Sequence, residues 1–213
     1  MEIEAIAYFN SPFGTKFGVP RQSGLAGNLA GEVRFCSGFR REEYLRGLEG
    51  FDYIWLIWGF SENVGKGKPT VRPPRLGGNR TMGVFATRSS FRPNSLALSS
   101  VRLTGVDFKN GILNVLGADL MDGTPIYDVK PYIPYTDSHP DARDGFVGEN
   151  GWNKLKIKDA GRYPADLVEV LSLDPRPQYQ DDPEKVYGMM FKGKDIHFKV
   201  IDNTLTILDE DII

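Results

Sequence analysis

The sequence predicts a mainly β protein, a closed antiparallel sheet or barrel followed by a small α+β unit, divided as 1–140 and 141–213. Short apolar segments separated by turn residues recur at even spacing through the first two thirds, and helical periodicity there is confined to one stretch. Closure is expected because it removes exposed strand edges. After Tyr135 the composition shifts to a polar, Gly- and Asp-rich stretch at 136–153, which reads as a linker or surface loop.

In chain order, Ile3-Glu4-Ala5-Ile6-Ala7 is the expected opening strand, ended by the turn cluster Asn10-Ser11-Pro12-Phe13-Gly14. A second strand is expected over 32–36, after a loop carrying Gly24, Gly27 and Gly31. The spacing of Tyr44, Leu45 and Leu48, with Gly50 beyond, predicts a helix over 40–48. Residues 51–60 are almost wholly apolar and read as a strand buried on both faces. Residues 61–80, rich in Gly, Pro and basic side chains, form a long loop of the kind that carries function. Strands follow at 82–87, 96–104 and 112–118, the last two joined by a hairpin through Asn110-Gly111. In the second unit a helix is expected over 164–173, then a three-strand meander over 187–191, 196–201 and 205–208.

With 213 residues, 40% of them hydrophobic and 25% charged, the chain has the composition of an ordinary globular protein. Its longest apolar run, seven residues over 54–60, is far below the ~20 that a membrane helix needs. The opening MEIEAIAYFN has no basic segment before an apolar one, so no secretory signal is read and a cytoplasmic address is expected. A single cysteine, Cys36, excludes an intrachain disulfide, and with only His139 and His197 beside it no structural metal site is expected. The net charge of −2 conceals an asymmetry, because residues 1–105 carry +6 and residues 106–213 carry −8. From Asn63 to Val106 there is no acid, only Lys66, Lys68, Arg72, Arg75, Arg80, Arg88, Arg92 and Arg102. Such a stretch pairs internally, faces solvent or meets an anion, and arginine's planar fork suits phosphate and carboxylate.

Familiar nucleotide motifs fail. Gly24-Leu25-Ala26-Gly27 lacks the dinucleotide spacing, and Pro69 ends any P-loop reading of Gly65-Lys66-Gly67-Lys68-Pro69-Thr70. Three segments nevertheless concentrate polar groups beside predicted strands. They are Lys16-Phe17-Gly18-Val19-Pro20-Arg21-Gln22-Ser23-Gly24, Ala86-Thr87-Arg88-Ser89-Ser90-Phe91-Arg92-Pro93-Asn94-Ser95, and Asp119-Leu120-Met121-Asp122-Gly123-Thr124-Pro125 with Asp128-Val129-Lys130-Pro131-Tyr132. Each alone is a decorated turn; three beside one sheet point to a shared site.

These segments, together with Pro73-Pro74-Arg75-Leu76-Gly77-Gly78-Asn79 and Asp174-Pro175-Arg176-Pro177-Gln178-Tyr179, resemble the TsaA/TrmO family over nearly the whole chain. The resemblance implies an S-adenosylmethionine-dependent tRNA methyltransferase on a single-sheeted barrel. It also implies a homodimer with the cofactor near the subunit interface. The implied substrate is N6-threonylcarbamoyladenosine at position 37, carried in the anticodon stem-loop. The cofactor contacts it implies fall on Gln22, Ser23, Gly24, Arg88, Leu98, Asp122, Gly123, Thr124 and Pro125, and on Ser61 and Glu62. At the last two this chain departs from the His-Gln or similar pair the family often has.

Methyl transfer is an in-line displacement favoured by a dry pocket. The proton on the accepting nitrogen must be managed, and Asp119, Asp122, Asp128 and Tyr132 are the candidates, with bulk water an alternative. The anionic threonyl and phosphate groups of the substrate match Arg75, Arg88 and Arg92, with Asn94 and Lys130 beside them. Lys66, Lys68 and Arg72 suit looser attraction to the RNA backbone. Tyr132 and Tyr135 are available to stack a base, or to pack. Trp55 and Trp58 read as core aromatics, His139 as a surface residue, and His197 as the solvent face of its strand. Two other readings stand beside this one: a non-catalytic RNA-binding barrel, and a methyltransferase for another nucleoside or a small metabolite.

Overall fold

Alternation of apolar and polar side chains closes the first part of the chain on itself. In the computed structural model, which describes residues 2–148, 153–177 and 182–209, twelve strands occur in chain order. They are β1 (Ala7–Asn10), β2 (Ala30–Phe35), β3 (Tyr53–Gly59), β4 (Thr70–Val71), β5 (Met82–Gly83), β6 (Leu96–Asp107), β7 (Ile112–Leu116) and β8 (Pro125–Pro131), then β9 (Lys156–Ile157), β10 (Tyr187–Phe191), β11 (Lys194–Ile201) and β12 (Thr204–Ile207). The α-helices are short: α1 (Glu42–Leu45), α2 (Pro134–Asp137) and α3 (Ala165–Ser172).

Six strands in the order β1-β2-β7-β6-β3-β8 form a closed antiparallel barrel, with β8 returning to β1 through Ala7 opposite Ile126. The pleat directs alternate residues inward. Ala7, Phe9, Val33, Phe35, Ile54, Leu56, Trp58, Val101, Leu113, Val115 and Ile126 accordingly share one buried core. The fold is therefore the mainly β barrel with a small C-terminal sheet unit that the sequence predicts.

Several element boundaries are corrected. The first strand covers Ala7–Asn10, not 3–7, because only those residues find partners on β2. The helix expected over 40–48 shrinks to α1, after which Gly47, at φ +94°, turns the chain into a 3-10 turn at Leu48–Gly50. The strand expected over 82–87 is only β5, since Val84–Ala86 curls into a 3-10 turn closed by the Thr87 hydroxyl on the Val84 carbonyl. Residues 53–59 are buried inward but only half-buried outward. Among the described residues the helical contact on their outer face is the single turn α2, whose Asp137 accepts from the Trp55 indole. The sequence predicts no strand over β8, because Pro125 and Pro131 bracket it; both occupy strand ends, where proline is tolerated.

The second unit is a four-stranded sheet, β10-β11-β12-β9, with α3 packed on it. β9 pairs in parallel with β12, opposite Thr204 and Leu205. In the turn after α3, Arg176 makes a two-pronged contact with the Asp174 carboxylate, 2.9 Å on each prong. Gln178 and Tyr179 lie outside the described residues.

The core of this second unit is not built from its own residues alone. Phe13, Ala26 and Leu29, from the arm between β1 and β2, are buried in it. The Phe13 ring meets Phe191 edge-on with centroids 5.5 Å apart. The Lys192 amide donates to the Pro12 carbonyl at 3.0 Å, and the Asn28 amide to Glu169 Oε2 at 2.8 Å. Gly18 sits at φ +90° against Met189, where a Cβ would lie 2.2 Å from the sulfur. The arm is thus fastened to the C-terminal sheet while its two ends continue into barrel strands.

Phe13 is fully buried, so Phe13→Ala removes a large ring from a core that cannot collapse freely. We expect a loss of about 3–5 kcal/mol in chemical denaturation, with the arm's amides exchanging hydrogen faster than those of the barrel. An unchanged denaturation midpoint is the contrary result.

Candidate active site

Residues 57–59 of β3 pair with 96–98 of β6, and the outer face of this pair floors a cavity of about 720 Å³. That volume lies in the range of sites for small molecules and cofactors. Trp55, Ile57, Trp58, Phe60 and Leu98 supply an apolar wall, and Trp58 and Phe60 meet edge-on at 4.6 Å. Gly59 lets the Tyr127 ring lie close against the strand, since a Cβ would stand 2.7 Å from its hydroxyl and displace it.

Two loops form the sides. The arm contributes Lys16, Val19, Pro20, Arg21 and Gln22, and the loop after β5 contributes Thr87, Arg88, Ser90 and Arg92. Arg88 reaches across and donates to the Gln22 side-chain oxygen, joining the loops. Arg92 Nη1 donates to the carbonyls of Thr87 at 2.7 Å and Val84 at 3.3 Å, so it holds its own loop in shape. The Asn63 amide donates to Ser90 Oγ at 2.7 Å and ties the turn after β3 to the same loop. Trp55 is held from the other side, its indole donating to Asp137 Oδ2 at 2.8 Å. That carboxylate also accepts the Ile133 amide; the amide and then the indole hold its pKa below the ordinary range.

Four cations, Lys16, Arg21, Arg88 and Arg92, and two acids, Glu62 and Asp119, line the cavity. Asp119 lies between the buried Ala118 and Leu120. Burial raises its pKa; the Ser99 hydroxyl, the amides of Asp119 and Ser23, and the Arg88 charge act in the opposite sense without cancelling that rise. Burial likewise lowers the Arg21 pKa, with Asp174 opposing and Arg75 reinforcing the shift.

The residues expected from the sequence therefore divide. Gln22, Ser61, Glu62, Arg88, Leu98 and Thr124 line the cavity, as do Asp119 and Arg92. Ser23 approaches through its amide, and the Gly24 amide donates to the Gly117 carbonyl at 2.8 Å. Asp122 is turned to the end of β1, where Oδ1 accepts Asn10 Nδ2 and the Ser11 amide, each at 2.9 Å. The Gly123 amide donates to the Phe9 carbonyl, and Pro125 starts β8 opposite Tyr8. Asp128 pairs with Lys130 at 3.2 Å on the barrel's outside, and Tyr132 packs on Tyr53 and Trp55. Arg75 donates to the Val147 carbonyl, and Asn94 is exposed. None of Asp122, Gly123, Pro125, Asp128, Lys130, Tyr132, Arg75 and Asn94 lines the cavity.

Sequence reasoning missed Trp55, Ile57, Trp58 and Phe60 as wall residues, and Ser99 as the partner of Asp119. The signals were present: an apolar run too continuous for a half-solvated strand, and a serine at an inward position of β6. Among the described residues no group of three or more His, Cys, Asp or Glu could hold a metal ion, and no helix is long and apolar enough to cross a membrane.

A closed single-sheet barrel with a cavity on two strands and two loops is a class apart from doubly wound nucleotide-binding sheets. Within that class the chain belongs to the TrmO family. Residues 8–138 match the tRNA-methyltransferase O N-terminal domain, and residues 155–211 match the TrmO C-terminal domain. An Escherichia coli (strain K12) relative named tRNA (adenine(37)-N6)-methyltransferase is 38% identical over 220 residues, covering 94% of each chain. A relative from Pseudomonas aeruginosa (strain PAO1), provisionally named as the S-adenosylmethionine-dependent methyltransferase RcsF, is 41% identical over 212 residues, covering 92% of this chain and 91% of its own. A crystal structure of TrmO from Pseudomonas aeruginosa superposes with a TM-score of 0.79 at 30% identity over 98% of both chains.

Because Arg92 is bonded to the carbonyls of its own loop, Arg92→Ala loosens residues 84–92. Losing hydrogen bonds from a charged donor, worth about 1.5–3 kcal/mol, should speed amide exchange there at least about tenfold. Exchange at the wild-type rate is the contrary result.

Proposed function

We propose that this chain is an S-adenosylmethionine-dependent methyltransferase that methylates N6 of N6-threonylcarbamoyladenosine at position 37 of tRNA. The observation that carries the reading is the one cavity to which Gln22, Glu62, Arg88, Leu98, Asp119 and Thr124 all contribute, in a chain whose E. coli relative is named for this adenine. The donor set fits the cofactor. Trp55, Ile57 and Leu98 offer apolar surface to a purine, while Glu62 offers acceptors to hydroxyl and ammonium groups. S-adenosylmethionine, when bound, supplies an activated methyl group.

On this reading the barrel unit, 1–140, carries the chemistry and the C-terminal unit, 141–213, buttresses the arm through Phe13. Gln22, Ser61, Glu62, Arg88, Leu98 and Thr124 bind the cofactor, with Ser23 acting through its amide. Arg88, Lys16 and Arg21 face the anionic threonyl group, and Lys66, Lys68 and Arg72 attract the RNA backbone. Arg75, Asn94 and Lys130 reach the substrate only at the surface around the site, and Arg92 acts by shaping its loop. A homodimer covers Leu98, which leaves 54% of its surface exposed at the cavity edge. The enzyme works in the cytoplasm, where its substrate is available.

Incubation with S-adenosylmethionine and tRNA bearing the modified adenosine should yield a nucleoside heavier by one methyl-for-hydrogen exchange in mass spectrometry. Calorimetric titration should show saturable cofactor binding. Absence of binding together with retained tRNA affinity would instead indicate an RNA-binding module. Replacing Lys68 or Arg72 by Ala should lower the slope of log affinity against log salt by about 0.7 each for single-stranded contacts, with cofactor affinity unchanged.

A further inference from the structure

Asp119 is the only one of the four candidate proton acceptors whose side chain lines the cavity. It is joined to the barrel interior by a directed chain of hydrogen bonds. Trp58 Nε1 donates to Ser99 Oγ at 2.9 Å, and Ser99 Oγ contacts Asp119 Oδ1 at 2.6 Å. An indole nitrogen is a donor only, so Ser99 accepts from Trp58 and its single hydroxyl hydrogen is left to point at Asp119. Ser99 is 1% exposed and Trp58 7%, so water does not compete for either bond. The direction of the chain is therefore fixed by chemistry: tryptophan to serine to carboxylate.

We infer that Asp119 accepts the proton released by the methylated nitrogen, and that Ser99 and Trp58 are positioning residues that aim its carboxylate at the cavity. This deepens the proposed function and rests on it. As the bond from nitrogen to methyl forms, the methyl–sulfur bond breaks with its electron pair left on sulfur. The N–H proton passes to the Asp119 carboxylate. The sulfonium charge and the carboxylate charge disappear together, and the nitrogen ends neutral.

Burial makes Asp119 a better proton acceptor than an ordinary carboxylate. Arg88 is the cation that acts on it, from the loop after β5. Lys16 and Arg21 from the arm, Arg92 from the Arg88 loop and Glu62 from the turn after β3 face the same space. The alternatives are engaged elsewhere, Asp122 by Asn10 and Ser11 and Asp128 by Lys130.

The test uses the full chain, S-adenosylmethionine and tRNA bearing the modified adenosine, with single-turnover transfer followed across pH. Asp119→Asn should slow transfer by about 10²–10⁴-fold, while calorimetric cofactor affinity stays within about threefold. Ser99→Ala removes a donor to the ionised carboxylate, which makes Asp119 easier to protonate. The acidic limb of its pH profile should move to higher pH, by an amount that lowers transfer there about tenfold, with little change at the alkaline end. The Asp119 carboxyl carbon, titrated by NMR without any ligand, should move in the same direction. Transfer by Asp119→Asn within about tenfold of wild type overturns the inference. So does a loss explained by weakened cofactor binding, or a Ser99→Ala protein whose pH profile and carboxyl titration stay in place. Wild-type protein that binds cofactor but leaves this tRNA unmethylated overturns the function itself, a result separable from the others.

Discussion

Phe13 is buried in a core whose other members come mostly from residues beyond 154. That placement determines much of what the molecule can do. The arm between β1 and β2 leaves the barrel at Asn10, inserts its phenylalanine beside Phe191, and returns at Ala30. Between these fixed points lie Lys16, Val19, Pro20, Arg21 and Gln22, which form one side of the cavity. A free loop of nearly twenty residues loses considerable entropy when it is ordered around a ligand. Here that ordering is already accomplished by apolar burial in the neighbouring unit, so the small C-terminal sheet supports the site without lining it.

The opposite side is ordered differently. The loop after β5 has few buried apolar residues, and polar contacts take their place: Arg92 on two carbonyls, Ser90 on Asn63, and Arg88 on Gln22 across the cavity. Apolar burial is not screened by salt, whereas a contact between exposed polar ends is weak and readily exchanged. One wall is therefore stiff and the other adjustable. The Arg88–Gln22 bridge lies between them and joins the two.

Much of this was legible in the chain. The inward alternation of β6 and β7 and the helix over 165–172 follow from periodicity, and the polar strings around Gln22, Arg88 and Asp119 indicated a shared site. Periodicity failed where a single residue changed the geometry. Gly47 stops α1, Pro125 and Pro131 hide β8, and the Thr87 hydroxyl curls what reads as a strand. Asp122 was the least legible. Its Asp-Gly turn looks as open to a ligand as it is to the end of β1, and only the closure of β8 onto β1 directs it to Asn10 and Ser11. Sequence records which groups lie near a strand end, but the side of the strand to which they turn depends on the pairing of distant segments.

The apolar run over 53–59 shows how one strand meets two requirements. Its inward residues, Ile54, Leu56 and Trp58, fill the barrel, and its outward residues, Trp55 and Ile57, face the cavity. Trp58 belongs to both, since its ring is buried at the barrel's end while its nitrogen begins the chain of hydrogen bonds through Ser99. An inward serine in a barrel is unfavourable unless its hydroxyl is fully satisfied. Ser99 meets that condition by accepting from an indole and donating to a carboxyl. The carboxyl in turn is oriented by groups that solvent does not reach. A barrel that closes without a helix layer lacks the helix N-termini that hold anions in doubly wound sheets. It orients its charged group from within, through the side chains of its own strands.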